Sequence, residues 1–283
     1  MNAILVAGLV RSFLSRNVPV GIARYDQGSV STTNTKGTIM FVITFSNPKG
    51  GTGKTTANMI LAEQIANRGG RVTILDCDPN TNIVDWAANR EDEGKPVPFR
   101  VIPRVEKADD FFDQLEGEGD KADFCLIDLE GTADQLTTFA TQAADLVIVP
   151  MTLTYMEARQ AQRAVKVVKQ MARASRRNIK TALLLNRTST AVQSGDHRQM
   201  RQALVDGGAD VLPVELMNRA AFDSMFQQGL TLGEMRARLE EQTANLSDAG
   251  RARKLKPILS AIENAEAYAE AVFAHISEAR NAA

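Results

Sequence analysis

Residues 47–56 read Asn-Pro-Lys-Gly-Gly-Thr-Gly-Lys-Thr-Thr, and this stretch follows an apolar run and precedes a helical pattern. The glycines let backbone N–H groups turn towards phosphate oxygens, and the start of a helix adds the positive end of its dipole. Lys54 is expected to reach the β- and γ-phosphates of a nucleotide, and the Thr55 hydroxyl to bind Mg²⁺. A glycine turn before an ordinary helix is the alternative. The order of strand, loop, lysine, threonine and helix favours a phosphate-binding loop.

Outward from this loop, the chain from Met40 alternates β-branched apolar runs with helical patterns, which is typical of βαβ units. Candidate strands are 41–45, 71–76, 123–128, 145–150 and 181–186. Their nearly continuous apolar character suits strands that are buried on both faces. Candidate helices are 54–68, 106–116, 133–143, 155–175 and 196–207, and a helical segment around Trp86 is expected after the second strand. The sequence predicts an α/β fold, with a predominantly parallel sheet flanked by helices on both faces.

The two ends of the chain differ from this middle part. Residues 1–39 are expected to be a disordered extension or to lie upstream of the true start, because they show no clear period. Residues 40–240 are expected to form one α/β domain whose strands end before residue 210. Residues 241–283 are predicted to be a linker, with a polar break at 240–256, and an amphipathic helix at about 257–279. The glutamates of that helix favour packing onto the domain or a partner over an anionic membrane.

Composition restricts the function only loosely. The 283 residues contain 33 Lys plus Arg and 34 Asp plus Glu, so the net charge of −1 identifies no nucleic-acid partner. Apolar runs are all shorter than the roughly 20 residues of a membrane-spanning helix, which favours a soluble, cytoplasmic protein. The two cysteines, Cys77 and Cys125, lie in apolar segments and are expected to be reduced core residues.

The segment KGGTGKTT, residues 49–56, resembles the ParA/MinD group of P-loop ATPases, which carry a deviant Walker A motif with an additional lysine ahead of the glycines. Pro48 stands where the common motif has its first glycine. The resemblance implies ATP and Mg²⁺ as cofactors. In that family the additional lysine reaches across a dimer interface, and Lys49 matches it, which implies an ATP-bound homodimer with Lys49 and Lys54 both catalytic. The implied nucleotide contacts of the loop are Gly50, Gly51, Thr52, Gly53, Lys54, Thr55 and Thr56.

The same resemblance assigns roles to carboxylates at strand ends. Asp78 matches the second aspartate of the family's D-x-D-P switch, which orients the attacking water. Asp128 ends the third apolar run in the manner of Walker B, so it and Thr55 are the expected Mg²⁺ ligands. The role of Glu130 stays open. Asn186 matches a family contact to adenine, and a simple turn residue is the alternative.

A basic helix face is the candidate DNA surface. At ~100° per residue, the segment from 155 to 177 places its cations on one side, and an ordinary solvated face is the alternative. Nothing there reads bases, so binding would be to phosphates and sensitive to salt. The resemblance adds Arg219, which could instead pair with Asp223 across one helical turn. A second basic cluster at 251–256 matches no family motif. The candidate DNA contacts are Arg159, Arg163, Lys166, Arg173, Arg177 and Arg219.

The resemblance therefore implies an ATP-dependent, dimerising ATPase that binds DNA non-specifically and partitions or positions plasmid or chromosomal DNA. A ParB-like or other protein would activate hydrolysis, and the ATP-bound form would associate with the nucleoid. The alternatives are a VirC-type accessory ATPase of conjugative or T-DNA transfer, and an ATPase that positions a protein cargo. A reductase of the nitrogenase type is disfavoured because its bridging cysteines are missing. A membrane cycle of the MinD type is disfavoured by the acidic last helix.

Overall fold

A seven-stranded sheet organises the part of the chain that the computed structural model describes, residues 40–103, 108–130, 135–175, 178–189 and 195–281. All of its pairings are parallel, in the order β3-β2-β4-β1-β5-β6-β7. The strands are β1 (Phe41–Phe45), β2 (Val72–Cys77), β3 (Arg100–Ile102), β4 (Phe124–Leu129), β5 (Leu146–Met151), β6 (Lys180–Thr188) and β7 (Leu216–Met217). The chain leaves β1 towards β2 on one side and later reaches β5 on the other, so a ligand crevice is expected at the carboxyl end of β1.

Nine helices lie within the described residues and cover both faces of the sheet. The predicted α/β class is confirmed, as are helices at all the predicted places between the strands. The helices are α1 (Lys54–Asn67), α2 (Asn82–Asp92), α3 (Ala108–Gly117), α4 (Gln135–Ala143), α5 (Tyr155–Ser175), α6 (Gly195–Asp206), α7 (Ala220–Gln228), α8 (Leu232–Gln242) and α9 (Asp248–Asn281).

Alternate residues of each strand enter different cores, as the period of two requires. Ile43 and Phe45 of β1 pack in the larger core, beneath α1, α2 and α7–α9, whereas Val42 packs on the opposite face with α3 and α4. A third cluster joins β5 and β6 to α5 and α6. Cys77 and Cys125 are buried free thiols in the core on the α3–α4 side, as predicted.

The sequence prediction missed two short strands. β3 has three residues and β7 has two, and β7 contradicts the expectation that strands end before residue 210. Each is defined by parallel pairing with a neighbour, β2 for β3 and β6 for β7. Segments this short carry too few apolar residues to show a period, so only the assembled sheet reveals them.

The predicted polar break at 240–256 is wrong in its second half, because α9 begins at Asp248 and contains Pro257. Proline removes one backbone donor from a helix. Leu255 and Ile258 flank Pro257 and are both buried in the larger core, which offsets that loss. The apolar stripe of α9 continues in this core, which confirms that the helix packs onto the domain. Its further buried residues include Ala261, Ala265, Tyr268, Ala269, Val272 and Ile276.

Buried charges tie α8 to α1 and α2. Both oxygens of Glu63, on α1, accept hydrogen bonds from the first backbone N–H groups of α8, those of Leu232 (3.1 Å) and Gly233 (3.2 Å). Arg90, on α2, donates to both oxygens of Glu234 at 2.7 and 2.8 Å. A carboxylate at a helix N-terminus is stabilised by the helix dipole. The helix that follows the phosphate loop is therefore fixed to the C-terminal layer.

Among the described residues, no helix combines the length and the apolar character needed to cross a membrane.

Candidate functional site

The predicted phosphate loop, residues 47–53, connects β1 to α1 at the carboxyl edge of the sheet. Asn47 is buried and holds the loop at both sides: its Nδ2 donates to the Pro150 carbonyl at 2.7 Å, and its Oδ1 accepts from Lys49 N at 2.9 Å. The Lys54 Nζ donates to the Asn47 carbonyl at 3.3 Å. These contacts fix the start of the loop to β5 and leave Gly50 and Gly51 at the surface.

Gly53 could not carry a side chain in this loop. Its φ of 85° is left-handed, and a Cβ at this position would lie 2.2 Å from Asn186 Nδ2. The Asn186 Nδ2 donates to the carbonyl oxygens of Thr52 (2.8 Å) and Gly53 (3.4 Å). Asn186 lies within β6 and braces the loop from β6, so it is not a turn residue.

Lys54 is buried under the loop and faces acidic side chains. Burial lowers its pKa from the ordinary value of 10.5, and the negative charges of Asp128, Asp78 and Glu130 oppose that shift. The structure thus brings together the predicted lysine and both predicted carboxylates, and it adds Glu130 to the same electrostatic neighbourhood.

Asp128 is fully buried at the end of β4, and among the described residues neither of its oxygens accepts a hydrogen bond of normal geometry, although the Thr55 side chain is near enough to lower its pKa. Burial raises its pKa to about 7; the nearby acids Asp76 and Asp78 add to the shift, whereas Thr55 and Lys54 oppose it. A buried carboxylate with bare oxygens costs free energy unless a cation or proton joins it. The Asp128 and Thr55 oxygens are hard ligands of the kind that Mg²⁺ prefers, so the residues fit the metal.

The switch segment after β2 is held by its own side chains. Asp76 accepts hydrogen bonds from Ile83 N and Val84 N, each at 3.2 Å, and so caps α2. Asp78 Oδ1 accepts from the backbone N of Asn80 at 2.9 Å and from Asn80 Nδ2 at 2.8 Å. Burial raises the pKa of Asp76. Asp76 is therefore a structural cap, and Asp78 keeps its second oxygen for other partners.

Lys49 forms an ion pair with Glu157 of α5 in the same chain. The other Glu157 oxygen accepts from Thr152 N at 2.7 Å. Burial acts to raise the pKa of Glu157, but the hydrogen bonds from Lys49 and Thr152 outweigh it and lower that pKa. The side chain of Lys49 is 48% exposed and that of Glu157 is 8% exposed, so Lys49 lies at the surface beside the phosphate loop and its partner lies beneath it.

The basic face of α5 is exposed as the periodicity predicted. Arg159, Arg163, Lys166 and Arg173 point to solvent, whereas Ala161, Val165 and Val168 are buried against the sheet. Among the described residues none of these four cations has an acidic partner. Arg177 lies outside the described residues. DNA binding by this face stays a prediction.

Arg219 is partly buried at the start of α7 and does not form the alternative ion pair with Asp223 within the described residues. Its Nη2 lies 3.3 Å from the Met217 sulfur, and its Nε has no partner among the described residues. Because Arg219 is partly buried, it is a weaker candidate for DNA contact than the exposed cations of α5.

Sequence reasoning missed the contacts that hold the site together. The predicted site residues do not include Asn47, although an asparagine side chain often accepts a hydrogen bond from the backbone N–H two residues further on, as Asn47 does from Lys49. Glu157 carried a signal, since it is the one acid in the basic segment 156–180. Nothing in the sequence alone pointed to Arg187, whose backbone is left-handed.

A family model described as VirC1 protein matches residues 40–277. The chain belongs to the VirC1 family. The match spans every described strand and helix up to the last turns of α9, including the phosphate loop, Asp128 and Asn186.

Individual relatives of this VirC1-family chain agree with the ParA resemblance. Protein ParA of Rhizobium radiobacter is 29% identical over 240 residues, which are 85% of this chain and 99% of the relative. Protein virC1 of the same organism is 28% identical over 197 residues, 68% of this chain and 82% of the relative. The ATP complex of an McdA variant from Cyanothece has the same fold, with a TM-score of 0.58 at 16% identity, over 81% of this chain and 97% of that structure.

Proposed function

We propose that this VirC1-family protein is a Mg²⁺-dependent ATP hydrolase whose ATP-bound dimer binds DNA and positions it. The observation that carries the proposal is the bare, buried Asp128 carboxylate beside Thr55 and Lys54 at the phosphate loop. A metal ion would supply the positive charge that the Asp128 carboxylate needs, and a triphosphate would supply oxygens for Lys54 and the loop N–H groups. A purely structural loop would not require a buried carboxylate whose oxygens accept no hydrogen bond of normal geometry from the described residues.

The residues divide the chemistry of phosphoryl transfer among them. Asp128 and Thr55 would hold Mg²⁺, and the bound ion would supply positive charge next to the phosphates. Residues 50–56 bind the phosphates through backbone N–H groups, and Lys54 binds them with its ammonium group. Asp78, fixed by Asn80, orients water with its second oxygen. Asn186 keeps one acceptor lone pair on Oδ1, which suits the adenine amino group.

The dimer is supported by the surface around Lys49. Next to its partner Glu157, the side chains of Tyr155 and Met156 are 71% and 74% exposed. Large exposed apolar side chains beside a charged pair are typical of protein contact surfaces. A second subunit would cover them, and Lys49 would then act on that subunit's nucleotide, as an arginine finger does in trans.

DNA binding is supported by the four exposed cations on α5, which have no acidic partner among the described residues and can contact phosphates and release counterions. The test is the binding of purified protein to duplex DNA of arbitrary sequence with ATP, with ADP and without nucleotide, at two salt concentrations. Binding is expected with ATP alone and is expected to weaken at the higher salt. Absence of binding in every state by a protein that binds ATP would overturn the DNA step.

Two double variants test whether the α5 face is the surface that binds DNA. Arg163→Ala with Lys166→Ala removes two cations from the α5 face and should lower the slope of log affinity against log salt by about two. Lys95→Ala with Arg236→Ala removes two cations elsewhere and should leave the slope unchanged. Equal losses in both proteins would mean that overall charge, and not this face, binds DNA.

An accessory role in DNA transfer is the second candidate, and the VirC1 family match favours it specifically. Partition and transfer differ in the DNA that they require. A clear preference for one defined sequence over arbitrary DNA would favour the transfer role. Equal affinity for both, with stimulation of ATP hydrolysis by a ParB-like partner, would favour partition.

A further inference from the structure

Arg187 is the additional residue of a β-bulge at the edge of the nucleotide site. In the pairing of β6 with β7, Asn186 faces Leu216 and Thr188 faces Met217, with a register shift between them that leaves Arg187 without a counterpart. Bulges redirect a side chain and are frequent next to active sites. This one lies directly after Asn186, which braces the phosphate loop.

The backbone of Arg187 is strained. Its φ is 54°, and among the described residues Thr81 is the other non-glycine residue with a positive φ. The left-handed region costs an ordinary residue about 1–2 kcal/mol, which glycine would avoid. The conformation is held by a hydrogen bond from Arg187 N to Asn186 Oδ1 at 2.8 Å. An arginine where glycine is favoured indicates a use for the side chain.

The guanidinium group lies over the phosphate loop. A Cβ on Gly53 would be 3.8 Å from Arg187 Nε, which places the group beside the N-terminus of α1. Its side chain is exposed and has no ion pair among the described residues. A cation beside the positive end of a helix is unfavourable unless an anion lies between them. The buried Asp128 carboxylate, whose oxygens accept no hydrogen bond of normal geometry from the described residues, independently indicates that a ligand completes this site.

We propose that Arg187 is a nucleotide-binding residue whose guanidinium group contacts the nucleoside polyphosphate in the phosphate loop, on the side of Gly53. This inference rests on the proposed nucleotide site and adds a cation to it. The planar group can donate several hydrogen bonds to phosphate or ribose oxygens and can stack on a base. The bulge directs the Arg187 side chain towards the phosphate loop, which a regular strand would not do.

The test separates the side chain from the strained backbone. Arg187→Gly should raise the melting temperature of the nucleotide-free protein by about 2–4 °C, because glycine tolerates the left-handed region. It should weaken the binding of fluorescent ADP about tenfold or more. Arg187→Ala should weaken ADP binding equally without the gain in melting temperature. Lys256→Ala removes an exposed cation from α9 and should change neither quantity.

ADP binding by Arg187→Gly within about twofold of the parent, in a parent that binds ADP, would overturn this inference alone. Lack of ADP binding by the parent protein would overturn the proposed nucleotide site and this inference together. Weaker binding by Arg187→Gly but not by Arg187→Ala would trace the effect to the backbone, which also overturns the proposed contact.

Discussion

Lys49 has a partner within its own chain, Glu157, and it must leave that partner to reach a second subunit. For Lys49→Ala we expect ATP binding close to that of the parent and a hydrolysis rate lower by on the order of 10³-fold, as for the loss of a cation supplied in trans. Phosphate release under saturating ATP measures the rate, and Lys95→Ala serves as a control. Parent-like turnover by Lys49→Ala would exclude the role in trans.

In a single subunit, Glu157 keeps Lys49 in an ion pair within the same chain. Glu157→Gln keeps an acceptor for Thr152 N but removes the charge, so Lys49 is released. This ion pair contributes up to about 1 kcal/mol in each subunit, and a symmetric dimer breaks two of them, which corresponds to an ATP-dependent dimer up to roughly 30-fold tighter. Sedimentation velocity over a range of protein concentrations measures the dimer constant. A weaker dimer would show that Glu157 contributes to the interface instead of competing with it.

Asp128 makes stability depend on pH. Its pKa in the folded protein is about 7, mainly through burial, whereas an unfolded aspartate titrates near pH 4. The folded state therefore binds the proton more tightly, and stability falls as pH rises from about 4 to about 7 and is constant above. Asp128→Asn should be more stable than the parent at pH 8 without Mg²⁺, by roughly 2–4 kcal/mol, with a smaller difference at pH 5.

Urea unfolding at both pH values measures this difference, and a repeat with Mg²⁺ and nucleotide supplies the control. The parent should gain stability from these ligands and Asp128→Asn should gain little. The same stability difference at pH 5 and pH 8 would show that Asp128 does not titrate between them.

Residue roles could be predicted where the signal is local in sequence. Lys54, Thr55 and Asp128 follow from a loop and a strand end that are recognisable on their own. The contacts that position them are not local, because Lys49 and Glu157 are 108 residues apart and Asn186 and Thr52 are 134 apart. Only the order of strands in the sheet brings these pairs together, and one sequence does not state that order.

At the scale of elements, α2 and α8 are joined by an ion pair with unequal burial. Arg90 is 1% exposed and Glu234 is 36% exposed. The hydrogen bond from Arg90 is the main reason that the pKa of Glu234 falls from 4.5 to about 2. A lowered pKa contributes stability that is present above the unfolded value and is lost as pH falls towards 2.

Glu234→Gln tests this link. At pH 7 we expect a loss of roughly 1.5–3 kcal/mol, because Arg90 keeps its carbonyl partners but loses a charged acceptor. The difference from the parent should shrink between pH 4 and pH 2, which thermal unfolding across that range measures. Arg236→Ala, which breaks an exposed pair with Glu240, is the control and should cost less than about 1 kcal/mol. A pH-independent difference for Glu234→Gln would point to packing and not to charge.

Elements were predictable in proportion to their length and apolar content. The runs at 41–45 and 145–150 predict β1 and β5 to within one residue, and 155–175 predicts α5. β3 and β7 are too short for this, and the start of α9 is hidden by its charged first turns and by Pro257. In those turns four exposed cations mask the two buried residues, Leu255 and Ile258, that anchor the helix.

At the scale of the whole molecule, α9 completes the larger core. Removal of residues 248–283 would expose the faces of α1 and α8 on which α9 packs. We expect this truncated chain to lose its fixed tertiary structure, because several fully buried side chains each contribute about 1.5–3 kcal/mol. Near-ultraviolet circular dichroism and urea unfolding measure the outcome. A cooperative transition with the midpoint of the parent would show that α9 is an appendage.

The charge of the molecule is balanced overall but not in distribution. A net charge of −1 coexists with an α5 face that carries four exposed cations. Such a face attracts a polyanion only at short range, because salt screens charges beyond about 8 Å at physiological ionic strength. Contact of this face with DNA would thus be readily reversible at physiological ionic strength.

Helix α1 is anchored at two points. Lys54 begins the helix at the phosphate loop, and Glu63, nine residues and about 14 Å further along, accepts hydrogen bonds from the start of α8. No proline or glycine interrupts α1 between these two residues, so a shift of Lys54 along the helix axis would displace Glu63 and the start of α8 with it.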